Sequence, residues 1–319
     1  MSPLITGIHH VTAVSGDTQE NIDFYSGVLG MRLIKKTVNF DYPEVYHFYF
    51  GNDKGTPGTI MTTFPYGKEG LAKGRKGTGK INTTAFSLPS SSLGYWLERL
   101  DRYRVAYSLP QKRGEEKFIS LEDPDGLGIE LVFDPKEERE GSDFFDNVPL
   151  EHSIRGIHHV EIWQGSIQRT AELLTEVMDH ELLFQEANRS RYGVIDKPGH
   201  YIDLVEDPKA PRGYPGSAMV HHVAFATESR ETQEKMIEKL EAFGIARMPV
   251  RERKYFSSIY FNEPGGVVFE IATLGPGFDV DEEFEDLGLN LQLPEQFEEN
   301  RAKLNESLPK FTYSPEKFK

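Results

Sequence analysis

The sequence predicts an α+β protein assembled from four similar strand-helix-strand units, and three observations carry that prediction. The pair His-His recurs inside apolar runs at Gly7-Ile8-His9-His10-Val11, Gly156-Ile157-His158-His159-Val160 and Val220-His221-His222-Val223, using six of the ten histidines. Each run reads as a strand. The first two pairs sit at matching places in the two halves of the chain, which points to an internal duplication. Two later strands end alike. The turn Asp123-Pro124-Asp125-Gly126 precedes Gly128-Ile129-Glu130-Leu131-Val132, and Glu263-Pro264-Gly265-Gly266 precedes Val267-Val268-Phe269-Glu270-Ile271-Ala272.

Each element has a local reason. In the first unit, the strand Ile8 to Val14 leads to a helix capped at Asp17 or Thr18, with Ile22, Tyr25 and Val28-Leu29 at helical spacing and Gly30 as its stop. Strands are expected around Arg32-Phe40, Val45-Phe50 and Thr59-Phe64. The Gly/Lys stretch Gly67-Gly79 lacks the ordered ending of a phosphate loop and reads as a flexible connector. The second unit has the strand Ile81-Leu88, a helix over Ser90-Tyr103 capped by a serine cluster, and strands at Phe118-Leu121 and Gly128-Val132. A charged, polar segment at 141–153 reads as a linker between domains at 1–140 and 154–277. The third unit has a helix about Ile167-Met178 and strands near Leu182-Glu186, Arg191-Ile195 and Tyr201-Val205. The fourth has the strand Met219-Thr227, a helix about Arg230-Phe243, and strands near Arg247-Arg251, Ser257-Phe261 and Val267-Thr273. The tail at 278–319 begins acidic and turns amphipathic around Gln296-Leu308, as a helix packed on the body or at a subunit contact would.

Composition bounds the function. A chain of 319 residues, 38% hydrophobic, suits two globular domains. Its net charge of −15 argues against a general nucleic-acid surface. With no cysteine there are no disulfides or thiolate ligands. No apolar run approaches the ~20 residues that span a bilayer, and Met1-Ser2-Pro3-Leu4-Ile5-Thr6 lacks the pattern of a signal peptide. A soluble cytoplasmic protein is expected.

Adjacent strand residues face opposite ways, so each histidine pair can offer one imidazole to a site. Glu270 lies in an apolar strand, where a lone carboxylate is costly without a positive partner. Strand histidines with a strand carboxylate make a candidate metal site.

The ordered set of motifs resembles the vicinal oxygen chelate superfamily, which includes glyoxalase I, fosfomycin-resistance proteins and extradiol ring-cleaving dioxygenases. It is most similar to the hydroquinone-type ring-cleaving dioxygenases. The shared motifs are Gly-Ile-His-His-Val-Thr at the start, Tyr46-His47-Phe48-Tyr49-Phe50 with Gly55-Thr56-Pro57-Gly58-Thr59, Met61-Thr62-Thr63-Phe64-Pro65, Glu151-His152, His221-His222-Val223-Ala224-Phe225-Ala226 and Pro264-Gly265-Gly266-Val267-Val268-Phe269-Glu270. The resemblance covers essentially the whole chain. It implies four βαβββ modules in two glyoxalase-like domains with curved, incompletely closed mixed sheets. It also implies that His10, His222 and Glu270 hold a metal. A local argument agrees: His222 shares its strand face with the small Ala224 and Ala226, whereas His221 shares its face with Phe225. The same pairing in the other units gives His159 and Glu130, with Thr83 or Thr84 where a second histidine belongs, so that site is expected to be a metal-free relic.

Two histidines and one carboxylate leave cis positions open, as in non-haem Fe(II) oxygen chemistry; Mn(II) has similar preferences. The resemblance implies a small aromatic substrate and O2 as partners, and cleavage through a ring-expanded lactone to a semialdehyde acid. His9, Thr12 and His221 flank the ligands, and Arg253 and Tyr260 match residues that manage protons and anionic charge in that family. Alternatives are an extradiol catechol 2,3-dioxygenase, a glyoxalase-type isomerase or lyase, and a non-catalytic quinone binder. The isomerase generally needs a fourth protein ligand, and Thr59-Ile60-Met61-Thr62-Thr63 offers no carboxylate. A homo-oligomer is compatible with the chain.

Overall fold

The computed structural model describes residues 3–67, 70–144, 146–195 and 197–319. Each of the four units supplies four strands. The first has β1 (Gly7–Ser15), β2 (Arg32–Val38), β3 (Tyr46–Gly51) and β4 (Ile60–Pro65). The second has β5 (Lys80–Pro89), β6 (Gln111–Arg113), β7 (Glu116–Glu122) and β8 (Gly128–Asp134). The third has β9 (Gly156–Gln164), β10 (Glu181–Glu186), β11 (Arg189–Gly193) and β12 (Tyr201–Glu206). The fourth has β13 (Met219–Thr227), β14 (Arg251–Glu252), β15 (Ser257–Asn262) and β16 (Val268–Thr273).

A helix follows the first strand of each unit: α1 (Thr18–Ile22), α2 (Leu93–Arg102), α3 (Gln168–Glu172) and α4 (Arg230–Ala242). Asp17 caps α1, its carboxylate accepting from the backbone of Gln19 and Glu20. Both α1 and α3 widen into π turns, at Asp23–Val28 and Leu173–Val177. The serine cluster opens α2 without capping it by a side chain. Ser92 donates instead to the Glu151 carbonyl, and His152 stacks on Tyr95, so the Glu151-His152 motif anchors the connecting segment to α2.

A helical crossover lets the first and last strands of a unit pair in parallel, as β1–β4, β5–β8, β9–β12 and β13–β16 do. Two curled, mixed eight-stranded sheets result, in the orders β14-β15-β16-β13-β1-β4-β3-β2 and β10-β11-β12-β9-β5-β8-β7-β6. The sheets do not follow the sequential division at 1–140 and 154–277. The first unit shares its sheet with the fourth through the antiparallel pair β1–β13, and the second shares with the third through β5–β9. Each central strand is covered on both faces, so β1 is buried along its whole length.

Nor is the Gly/Lys stretch a loose connector. Among its described residues, Gly74 donates to the Ser217 carbonyl at 2.8 Å, Thr78 to that of Pro211 at 2.9 Å, and Arg75 and Tyr214 exchange backbone hydrogen bonds at 3.0 and 2.9 Å. Residues 68 and 69 of that stretch lie outside the described residues. The loops before β5 and before β13 occupy equivalent places in their units and zip against each other, tying the two sheets together.

The acidic start of the tail has a partner in the core. Lys35 on β2 is fully buried and reaches Asp281 at 2.7 Å and Glu282 at 2.5 Å, an arrangement that offsets the cost of burying an ammonium group. Beyond it, α5 (Arg301–Ser307) buries Leu304, and the following Leu308 is buried too.

Candidate metal centre

Strand register builds the site. His10 on β1 is the register partner of Ala224 on β13, Ala224 of Glu270 on β16, and Glu270 of Tyr260 on β15. His222 lies two residues along β13 from Ala224 and is paired with Thr12. The two imidazoles and the carboxylate therefore surround a methyl group, and the small alanine leaves room above it. His10 Nε2 lies 3.3 Å from His222 Nε2 and 3.3 Å from Glu270 Oε2, and His222 Nε2 lies 2.8 Å from the same oxygen. All three residues are buried.

The donor set fits a divalent cation. Glu270 Oε1 accepts from the Ser258 hydroxyl, while the buried Oε2 faces the two imidazoles. Burial alone would raise the Glu270 carboxyl, but His10 and His222 hold it well below the usual carboxylate range. Burial pushes His222 down, favouring the neutral imidazole a metal requires. Behind each ligand stands its sequence neighbour. His9 Nδ1 meets His10 Nδ1 at 3.0 Å, and His221 Nδ1 meets His222 Nδ1 at 2.7 Å. Burial, then His10, lowers His9 to about 3. A neutral His9 can accept a proton at Nδ1, which leaves the Nε2 lone pair of His10 turned to the metal position.

A cavity of about 390 Å³ opens over the ligands, lined by His10, His222, Arg253, Tyr260, Phe256 and His221 among others. Arg253 Nε donates to the Tyr260 hydroxyl at 3.3 Å, and the Tyr260 ring packs edge-on to His222 with centroids 5.5 Å apart. Thus Arg253, Tyr260 and His221 lie in the cavity with the triad. His9 and Thr12 do not line it. Strand alternation turns His9 to the opposite face, against Phe256 and a separate cavity of about 610 Å³. Thr12 points toward the site but is covered by Thr62, whose hydroxyl donates to it at 2.8 Å. His47 and Tyr49 also line the cavity, although sequence reasoning gave them no role. Their alternation on β3, opposite the buried Phe48 and Phe50, was the available signal.

The second sheet repeats the row as His159, Ala85, Glu130 and Ser120. Thr83 takes the register position of His222, facing Glu161 where His222 faces Thr12. Arginines fill the space. Arg113 grips Glu130 with two bonds of 2.9 and 3.2 Å; Arg191 holds Asp203 at 2.7 and 3.0 Å, and Arg189 bridges Asp203 and Glu161. On the far face, His158 approaches Glu116 and Asp134, a trio spaced closely enough for a cation. The Arg191 guanidinium already stands on Glu116 at 2.5 Å.

Residues 7–131 and 156–271 match the family model described as the Glyoxalase/Bleomycin resistance protein/Dioxygenase superfamily. The chain belongs to that superfamily. A relative in Bacillus subtilis (strain 168), provisionally named ring-cleaving dioxygenase MhqO, is 39% identical over 98% of each chain. The chlorohydroquinone/hydroquinone 1,2-dioxygenase of Sphingobium indicum is 33% identical over 92% of this chain and 93% of its own. A crystal structure of a provisionally named dioxygenase from Bacillus subtilis subsp. subtilis str. 168 superposes with a TM-score of 0.93 at 38% identity, covering 98% of this chain and 99% of that one. The protein is an enzyme, an oxidoreductase of the ring-cleaving dioxygenase kind. No helix among the described residues is long and apolar enough to cross a membrane.

Proposed function

We propose that the protein cleaves a hydroquinone-type aromatic ring with O2, inserting both oxygen atoms to give a semialdehyde acid, with Fe(II) held by His10, His222 and Glu270. The carrying observation is the convergence of His10 Nε2, His222 Nε2 and Glu270 Oε2 beneath a cavity of about 390 Å³, with ample room for an aromatic ring. A metal so held, when bound, supplies Lewis acidity and electron transfer between a phenolate and oxygen. Mn(II) would satisfy the same ligands.

The chain's own groups do the rest. Tyr260 accepts a hydrogen bond from Arg253, so its own hydroxyl hydrogen is available to a substrate or product oxygen. Burial, then the Glu270 charge, raises the Tyr260 hydroxyl above its ordinary value and keeps it a donor at neutral pH. Burial opposes the Arg253 charge, but its hydrogen bond to Tyr260 favours the protonated form, which offers positive charge to a developing anion. Phe256 and Phe64 supply apolar walls that exclude water from the ring. His9 and His221 hold the ligand imidazoles in their tautomer. Thr12 supports the strand beneath them.

The test is O2 uptake by protein reconstituted anaerobically with Fe(II), given hydroquinone or catechol in parallel, with ultraviolet spectra of the product. Uptake with hydroquinone and a semialdehyde chromophore is expected. A preference for catechol would change the substrate and keep the site. Full Fe(II) loading without uptake on either diol would contradict the reading.

A further inference from the structure

On β3, His47 and Tyr49 face the cavity and begin a buried hydrogen-bonded chain that the mechanism above does not use. Tyr49 Oη lies 3.0 Å from His47 Nδ1, His47 Nε2 lies 2.9 Å from Thr62 Oγ1, and Thr62 Oγ1 donates to Thr12 Oγ1 at 2.8 Å. The direction of the last bond fixes the others. Since Thr62 spends its only hydrogen on Thr12, its oxygen accepts from His47, so the imidazole carries its proton on Nε2. His47 Nδ1 then holds a lone pair, and the Tyr49 hydroxyl donates to it. A phenol has one hydrogen, so the Tyr49 oxygen can offer the cavity only lone pairs.

We propose that Tyr49 is held as a hydrogen-bond acceptor that reads a free hydroxyl on the substrate, away from the oxygen that binds at the metal position. This deepens the reading under "Proposed function" and rests on it for the location of that first oxygen. Tyr260 has the opposite polarity, accepting from Arg253 and so keeping its own hydrogen to donate. The cavity therefore presents a donor at one tyrosine and an acceptor at the other. A para-diol satisfies both. A catechol that chelates through its two adjacent oxygens leaves no hydroxyl for Tyr49.

Two further observations support the polarity. Protonating His47 would reverse the chain, but burial pushes the imidazole well below its ordinary value and raises Tyr49, so both stay neutral. In the second sheet the register positions of Tyr49, Thr62 and Thr12 carry Arg191, Asp203 and Glu161, locked in ion pairs. The uncharged chain belongs to the sheet that has the complete ligand set.

The experiment is an anaerobic titration of Mn(II)-loaded protein with hydroquinone and with 4-methoxyphenol, which keeps one hydroxyl and blocks the other. Leaving a buried acceptor unpaired predicts that the wild type binds hydroquinone roughly 10- to 100-fold more tightly. Tyr49→Phe is expected to bring that ratio close to one by weakening hydroquinone alone. His47→Leu frees the Tyr49 hydrogen for the cavity, so 4-methoxyphenol should bind more tightly than to the wild type; metal content and circular dichroism check both variants for folding. Equal wild-type affinities, or a ratio that survives Tyr49→Phe, would overturn the proposal. Because the titration excludes O2, a selective wild type that shows no oxygen uptake would sink ring cleavage and leave this hydroxyl-reading intact.

Discussion

The two sheets carry one arrangement in two states. In the first, a row of His10, Ala224, Glu270 and Tyr260 lies beside His222; in the second, His159, Ala85, Glu130 and Ser120 lie beside Thr83. Losing one imidazole to a threonine leaves carboxylates that need positive charge. The second sheet supplies it with Arg113, Arg189 and Arg191, and the first leaves Glu270 Oε2 facing two imidazoles. Burying a carboxylate is costly in either place. One site meets that cost with fixed guanidinium groups; under the proposed function, the other would meet it with an exchangeable cation. The difference separates a charge-paired core from one that keeps a complete candidate ligand set.

Moving the first site toward the second should have the largest effect. His222→Thr is expected to abolish metal retention and turnover while the fold persists, read by metal analysis and circular dichroism; retained metal and activity would remove His222 from the ligand set. In the second sheet, Arg113→Leu strands the buried Glu130 charge. It should cost about 3–5 kcal/mol in chemical denaturation, with unchanged activity per folded molecule. Tyr260→Phe makes its position as inert as Ser120 and should keep the metal while lowering kcat by roughly 100-fold; wild-type rates would exclude Tyr260. Removing the support behind a ligand is milder. His9→Ala should weaken metal binding by about 10-fold, measured by competition with a chelator.

Acid should expose the smallest difference. Burial lowers His180 to about 4 and His200 to about 3, so the unfolded chain takes up protons below its value of 6.5 that the folded chain refuses. Stability is then full above about pH 6.5 and falls as the pH drops from there toward 4. Burial opposes ionisation of Asp203, but His159 and Arg191 hold its carboxyl far below 3.8, so its contribution is present above that value and lost only at lower pH. Asp203→Asn should flatten the limb below about pH 4 and leave the upper one unchanged in denaturation midpoints taken across that range.

Much of this was legible in the chain. Histidine pairs in apolar runs marked the central strands, and "turn, apolar strand, Glu" marked the last strands, because strand alternation and burial leave local patterns. The exchange of partners between sheets was not legible, since pairing β1 with β13 is a long-range choice among similar units. The Gly/Lys loop looked unstructured for the same reason: its hydrogen bonds go to a loop more than a hundred residues away. That His9 lines a second cavity was not legible, because the other walls come from residues 54–57, 255–256 and 274–287, far from it in the chain. The role of His47 and Tyr49 within their motif was not legible, because their chain through Thr62 to Thr12 crosses three strands. Lys35 likewise gave no hint that the acidic tail would fold back onto it.

The most direct test of the asymmetry is anaerobic equilibrium dialysis of the metal-free protein against Fe(II). The account predicts one ion per chain, lost in His222→Thr and kept in Glu130→Gln. Two ions per chain, or one ion that survives His222→Thr, would contradict it.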